Sequence, residues 1–197
     1  MCKENCHEAL GYWTIGIQYL HLVEAVISET VSQRNAHFIL SDDEIGWDQY
    51  ARKTKWSDFR LVIPVLFDFY HGLEIVLKGF LVAAGVPPTT EHKLSRLVAA
   101  FEDKFPNSVI AETVKKYIEQ DQLPDMLASF CATSGITIDD YYQALKYPQS
   151  ARGNVYNHYP LKYRGQEGVL FFEELAKDIK EVVKQIVTLG RSIYPSD

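Results

Sequence analysis

Negative charge is missing from one part of this sequence. From residue 141 to residue 166 there is no Asp or Glu, although the whole chain carries 26 acidic side chains against 20 Lys and Arg. This acid-free segment, as residues 141–166 are called below, also holds six of the chain's twelve tyrosines. Because the whole chain has a net charge of -6, it lacks the broad basic face that non-specific binding of nucleic acid requires. The composition therefore predicts a local anion-binding site in the acid-free segment.

The sequence also has few cysteines, and neither an apolar leader nor a long uncharged apolar run is found in it. The three cysteines, Cys2, Cys6 and Cys131, are too few for a disulfide framework, which favours a reducing compartment. The first ten residues contain no apolar run of signal-peptide length, and charged side chains interrupt the apolar stretch at 58–84. We therefore expect a cytoplasmic protein without membrane insertion.

Motifs for common cofactors and metals are absent as well. The sequence has no phosphate-binding glycine loop of the Walker or dinucleotide type, no HExxH and no GxSxG. Cys2, Cys6 and His7 are close enough in sequence to ligate a metal, but a chain terminus without a partner cluster favours an incidental grouping. We expect no cofactor and no metal site, and we interpret Cys131 as a packed thiol.

Helical periodicity, by contrast, runs through most of the chain. Residues 8–34 and 58–84 place apolar side chains three and four apart, and a strict 3-4-3-4 spacing runs from Phe172 to Ile193. No strand pattern, repeat or linker interrupts them. The sequence predicts an all-α, single-domain bundle over residues 1–197, with four to five main helices and short accessory helices. Further helices are predicted after a Thr89 or Thr90 cap, from Pro106 to Gln120, from Leu123 to Phe130 and from Ile138 to Tyr147, and a loop-rich insertion with a helical turn from Trp47 to Lys53 is predicted at 35–57.

A strip of polar side chains lies on the apolar helix predicted at 58–84. Because successive residues of a helix turn by about 100°, Asp68, His71, Glu74 and Lys78 fall within roughly 120° of one another. The strip is interpreted either as a solvated face with a Glu74–Lys78 ion pair or as the lining of a ligand cleft. His71, Glu74 and Lys78 are therefore candidate ligand-binding residues. Gly72 and Gly79, beside the strip, allow close approach of another helix or of a ligand.

The acid-free segment offers a second set of candidates. Arg152 and His158 are six residues apart; an arginine can hold phosphate with a bidentate fork, and a histidine can exchange a proton near neutral pH. The pair forms the candidate catalytic residues. Tyrosines here can stack on bases or anchor the segment through their rings, and anchoring is expected for most of Tyr147, Tyr156, Tyr159 and Tyr163. The other candidate ligand-binding residues of the segment are Lys146, Tyr147, Asn154, Tyr159 and Arg164.

One stretch of sequence resembles a known family. The run FYHGLEIVLKGFLVAAGVPPTTEHKLSRLVAAF is similar to the HEPN domain (higher eukaryotes and prokaryotes nucleotide-binding), in which a helix of the type "E..LKa.L...G" leads into "HdL..L". The resemblance covers roughly residues 60–190 and extends to the KYP turn at 146–148 and to the Arg152–His158 pair. The matching positions are Glu74, Leu77, Lys78, Gly85, His92, Leu94 and Leu97.

The resemblance implies a bundle of four or five helices that forms a homodimer. Family members bind nucleotides or nucleic acid, often beside a nucleotidyltransferase-type partner protein, or are metal-independent ribonucleases of toxin and defence systems. In the ribonucleases the arginine stabilises phosphate charge and the histidine acts as acid or base. Here Gly153 and Pro160 favour a loop around the pair, which lacks the rigid positioning that catalysis requires.

Three functions follow as hypotheses. The leading one is a HEPN-like dimer that binds a nucleotide or an RNA phosphate. The alternative is a metal-independent endoribonuclease that uses Arg152 and His158. The second alternative is a protein-interaction module without a small ligand.

Overall fold

The computed structural model describes residues 3–194 and is all-α, as predicted. No β-strand occurs within these residues, and a single isolated bridge joins Gln149 to Val155. No helix in the part of the chain described is long and apolar enough to cross a membrane. The α-helices are α1 (Lys3–Ser32), α2 (Trp47–Thr54), α3 (Asp58–Ala83), α4 (Leu94–Lys104), α5 (Val109–Lys116), α6 (Asp125–Ser134), α7 (Tyr141–Ala144) and α8 (Gln166–Ile193), with 3₁₀ turns at Ile138–Asp140 and Tyr159–Leu161.

Helix α3 lies at the centre of the bundle. Its apolar stripe is buried along its whole length, from Val62 to Phe80, as the sequence predicts. It packs along α1 and also contacts α4 and α7, while α8 packs against α1 and α5. Pro64 is the seventh residue of α3 and does not end the helix, although its missing N–H removes one backbone hydrogen bond. The long helices α1, α3 and α8 therefore form the frame on which the shorter elements are placed.

Helices α1 and α3 approach closely at three glycines. A Cβ added to Gly16 would lie 2.6 Å from Val76 Cγ2, and one added to Gly72 would lie 3.1 Å from Tyr19 Cβ. A Cβ at Gly79 would come within 2.8 Å of Trp13 Cδ1. Gly72 and Gly79 thus serve tight helix packing, which was one of their two interpretations.

Trp13 fills the junction of α1, α3 and α8. Its ring centroid is 4.9 Å from that of Phe80 on α3, and Gly190 of α8 leaves room for its six-membered ring. The indole is 5% exposed. The regular apolar spacing of α8 buries Phe172, Leu175, Ile179, Val182 and Ile186, as predicted.

The shorter helices differ from the sequence predictions at their ends. The prediction that Thr89 or Thr90 caps the third helix is wrong: α4 begins at Leu94, and the backbone N–H of Ser95 is bound by Asp139 at 2.9 Å. The helix expected from 138 to 147 is a 3₁₀ turn followed by the four residues of α7. The predicted turn at Trp47 is confirmed as α2. Caps supplied by distant residues cannot be read from local sequence, which explains these errors.

A buried carboxylate fixes the end of the acid-free segment. Asp58, at the start of α3, is fully buried and accepts the backbone N–H groups of Tyr163 at 2.9 Å and Arg164 at 2.7 Å. Asn35, just after α1, donates to the same carboxylate at 2.9 Å and to the Gly165 carbonyl at 3.2 Å. This Asp58 clasp joins α1, α3 and α8 and holds the segment against the bundle.

Candidate functional site

Glu74 lies in the interior and not on a solvated face. Its residue exposure is 2%, and its carboxylate accepts three side-chain donors. Lys78 Nζ lies 2.8 Å and His92 Nδ1 lies 3.0 Å from Oε1, while the Tyr141 hydroxyl donates to Oε2. The Glu74–Lys78 pair is confirmed, but the solvated-face interpretation is wrong here, because Lys78 is itself only 11% exposed. We call these four residues the Glu74 network.

The Glu74 network connects the polar strip of α3 with the acid-free segment. Tyr141, the first residue of the segment, has its hydroxyl pKa raised well above the usual range by burial and by its bond to Glu74, so it remains a donor. The His92 ring stacks on the neighbouring Tyr142 with centroids 4.5 Å apart and planes at 22°. Lys146 Nζ lies 4.7 Å from the centroid of the same Tyr142 ring. A buried carboxylate is thus linked through His92 and Tyr142 to an exposed cation.

His71 lies beside this network without a hydrogen bond to it. Its ring packs edge-on against Tyr19 at 5.0 Å and parallel to Phe67 at 5.7 Å, and its buried Nδ1 has no partner among residues 3–194. Burial lowers the pKa of His71, while the Glu74 and Asp68 carboxylates raise it. Burial also raises the pKa of Asp68. His71 is therefore a neutral packing residue near neutral pH.

Arg152 and His158 are not brought together within the chain. His158 Nε2 donates to the Ala144 carbonyl at 2.6 Å, and the ring stacks on Phe130 at 5.4 Å. Arg152 is exposed in a tight turn, where the Gly153 N–H donates to the Ser150 carbonyl at 2.9 Å. No hydrogen bond joins the two side chains in the region the structure covers. His158 holds the segment on the bundle through its ring, whereas Arg152 faces solvent.

The remaining candidates divide into free and held side chains. Lys146, Tyr147, Asn154 and Tyr159 are exposed. Arg164 is held, because its guanidinium pairs with Glu167 at 2.5 Å and its backbone N–H binds the Asp58 clasp.

The expectation that most of the segment's tyrosines anchor it holds for two of the four named. Tyr156 is buried, and Tyr163, although 44% exposed, stacks on Phe59 with ring centroids 4.8 Å apart. It fails for Tyr147 and Tyr159, which are 46% and 71% exposed. Tyr147 and Tyr159 therefore present exposed rings to solvent, and the stacked Tyr163 ring is partly exposed as well.

Two residues of this site escaped the sequence reasoning. His92 was noted only as part of the family resemblance, and Tyr142 was not singled out. His92 follows Glu74 by 18 positions and lies beyond the end of α3, in the α3–α4 connection, so no helical spacing relates the two residues. The sequence signal for His92 was a histidine close to the start of an apolar helix. Such a histidine is too common to identify a site residue by itself.

The cysteines play no part in this arrangement. Burial raises the pKa of the Cys131 thiol to about 11, which confirms the packed-thiol interpretation. Cys6 is buried against the end of α8, whereas Cys2 lies outside the described residues. Between residues 3 and 194, no group of three or more His, Cys, Asp or Glu is placed to hold a metal ion.

Comparison with known proteins adds no relative to this picture. No family model, curated protein or solved structure matches the chain.

Proposed function

We propose that the protein is a HEPN-like helical domain that acts as a dimer and binds a nucleotide or an RNA phosphate through the acid-free segment. The observation that carries the proposal is a pair of exposed cations without acidic partners. Lys146 and Arg152 form no ion pair with any residue between 3 and 194. Cations elsewhere in that range, such as Arg52 and Lys53, are unpaired too, but Lys146 and Arg152 are the exposed cations of a segment that contains no Asp or Glu.

The chemistry around these cations suits a nucleic-acid ligand. A free guanidinium can hold phosphate oxygens with two parallel hydrogen bonds, and a free ammonium adds a point charge. Tyr147 and Tyr159 present exposed rings in the same segment, on which unpaired bases can stack. A single-stranded RNA or a nucleotide matches this combination better than a duplex, whose bases are not available for stacking.

The family part of the proposal rests on residues that carry the resemblance. Glu74 forms hydrogen bonds both with Lys78, four residues further on, and with His92, 18 residues further on. Leu94 and Leu97 of α4 are buried against the core. The motif is thus supported as a packing and hydrogen-bonding unit. A nucleotidyltransferase-type protein remains a candidate partner within this proposal.

The geometry favours binding over cleavage. His158 uses one ring nitrogen to hold the Ala144 carbonyl, and Arg152 is exposed and forms no hydrogen bond with His158 among the described residues. A general acid or base must lie within hydrogen-bond reach of the proton it moves. We therefore expect no metal-independent RNA cleavage by the Arg152–His158 pair within one protomer.

The test is RNA binding by charge variants. We expect Arg152→Ala and Lys146→Ala each to weaken binding of a labelled ten-nucleotide RNA about threefold to thirtyfold, since hydrogen bonds to charged groups contribute about 1.5–3 kcal/mol in favourable cases and less when exposed. Fluorescence anisotropy measures the change. The matched controls are Arg52→Ala and Lys53→Ala on α2, which remove the same exposed charges elsewhere.

The control variants decide between specific and diffuse binding. Equal losses in the α2 and segment variants would contradict the proposal and indicate general electrostatic attraction. The interaction-module alternative predicts a different result. The unmodified protein would then bind no RNA but would form a complex with a partner protein, which size-exclusion chromatography would detect.

A further inference from the structure

We propose that His92 contacts the phosphate ligand and that binding at this site takes up one proton on the His92 ring. The inference rests on the proposed function and adds a residue and a regulatory property to it. It follows from how the Glu74 network holds the imidazole.

The two ring nitrogens of His92 have different environments. Nδ1 lies 3.0 Å from Glu74 Oε1, inside the protein. Nε2 forms no hydrogen bond with any residue of the described chain, and the His92 side chain is 45% exposed. The ring is also fixed in orientation by stacking on Tyr142. Nδ1 is thus bonded to a buried group, whereas Nε2 is available to a ligand from the solvent side.

The buried carboxylate determines which nitrogen carries the hydrogen. An ionised carboxylate accepts only, so Nδ1 must donate its hydrogen to Glu74. In the neutral ring Nε2 then carries a lone pair, which repels the oxygen of an anion. The alternative tautomer, with the hydrogen on Nε2, would turn an Nδ1 lone pair toward the carboxylate. Neutral His92 therefore cannot donate a hydrogen bond to phosphate, and only the protonated ring can.

Both oxygens of Glu74 are held as acceptors by its other partners. Lys78 Nζ at 2.8 Å neutralises its charge, and the Tyr141 hydroxyl satisfies the second oxygen. Rotating Glu74 away from His92 would leave a buried carboxylate with fewer donors, which costs free energy. The network therefore prevents the tautomer exchange that an isolated surface histidine makes freely.

The ligand surface gains charge when His92 takes up the proton. Glu74 and Lys78 cancel, and Glu91 is paired with Arg96. The positive charge in contact with the Tyr142 ring is therefore that of Lys146 alone when His92 is neutral and that of both residues when His92 is protonated. His92 and Lys146 Nζ both lie within 5 Å of the Tyr142 ring centroid, near enough for the phosphates of one strand to meet both. The titratable groups that face His92 are Glu74, Lys78 and His71 from α3, Tyr141, Tyr142 and Lys146 from the acid-free segment, and Glu91, which binds the His92 backbone.

Glu91 and His71 do not produce the same effect. The hydrogen bond from Arg96 lowers the pKa of Glu91 to about 2, so it stays ionised throughout the range in which histidine titrates. His71 has a lowered pKa because of burial and is packed between aromatic rings. His92 is thus the histidine of the network that is open to the ligand.

The experiment measures RNA affinity and proton uptake between pH 6 and pH 8. The probe is a ten-nucleotide RNA without a terminal phosphate, because phosphodiesters do not titrate in this range whereas phosphomonoesters do. Its dye must have pH-independent emission. We expect affinity to rise as the pH falls, by at most about tenfold per pH unit for one proton taken up. Calorimetry in two buffers of different ionisation enthalpy then measures the proton directly.

The variants assign the effect to His92. His92→Gln retains an amide donor and cannot titrate, so its RNA affinity should vary far less with pH than that of the unmodified protein. His21→Gln, which changes an exposed histidine on α1, should keep the full pH dependence. Thermal unfolding checks that both variants are folded.

The outcomes separate this inference from the proposed function. RNA binding with the same pH dependence in His92→Gln and in the unmodified protein overturns the role of His92 and leaves the proposed function standing. RNA binding by the unmodified protein without proton uptake, as measured by calorimetry, also overturns the role of His92 and leaves the proposed function standing. No RNA binding at any pH overturns both.

Discussion

At the scale of single residues, two buried carboxylates have different roles because their partners differ. The Asp58 clasp binds backbone N–H groups and an asparagine amide, so it fixes chain position. Glu74 binds three titratable side chains, of which His92 is the one with substantial exposure. The first arrangement maintains the fold, and the second controls the chemistry of an exposed ring.

The role of Asp58 gives a stability prediction. We expect Asp58→Ala to lower the free energy of unfolding by about 3 kcal/mol, because it leaves several buried donors without an acceptor. Urea denaturation followed by circular dichroism measures the loss. Asp42→Ala, in the exposed loop before α2, is the control and should change stability by less than about 0.5 kcal/mol. Similar values for the two variants would show that the clasp is unimportant.

At the scale of helices, the close contact between α1 and α3 depends on glycines, which have no side chain. A methyl group at Gly79 would come within 2.8 Å of both Trp13 and Tyr12, whereas one at Gly11 would meet nothing within 4 Å. Both glycines lie inside helices, where alanine is intrinsically favoured. The two positions therefore separate helix propensity from packing.

The matched substitutions should change stability in opposite directions. Gly79→Ala should destabilise the protein by about 1–3 kcal/mol through overpacking, while Gly11→Ala should stabilise it by up to about 1 kcal/mol. Chemical denaturation midpoints measure both. A neutral or stabilising Gly79→Ala would mean that α1 and α3 separate at little cost.

The sequence was sufficient for the long helices and insufficient for the site. The apolar periodicity of α3 and α8 is a property of the local sequence, and the residues that it marks are buried in the structure. The bounds of these helices are therefore predicted to within a few residues, except for the start of α8. The bond from His92 to Glu74 depends on the path of the α3–α4 connection, which no local pattern encodes. For the same reason the Arg152–His158 spacing, although it resembles a catalytic motif, did not predict where the two side chains point.

At the scale of the whole molecule, an acidic protein with a small cationic surface should bind RNA with a weak dependence on salt. Each phosphate contact with a single strand changes the slope of log K against log salt concentration by about -0.7. Two free cations, Lys146 and Arg152, give a slope of about -1.4 per protomer, or twice that if both subunits of a dimer share one strand.

The salt prediction is tested by titration at several salt concentrations. At pH 8, where a histidine proton contributes least, Arg152→Ala should reduce the magnitude of the slope by about 0.7 per protomer. A slope as steep as that of broadly basic proteins, or one that Arg152→Ala leaves unchanged, would place the contacts elsewhere.

The position of Trp13 makes the molecule suited to fluorescence spectroscopy. Trp13 is almost fully enclosed where α1, α3 and α8 meet, whereas Trp47 on α2 is 73% exposed and Trp56 is half-buried. Emission from Trp47 should resemble that of free indole in both folded and unfolded protein, so a red shift on denaturation comes mainly from Trp13. A protein with Trp47→Phe would thus report separation of the three long helices by its intrinsic emission.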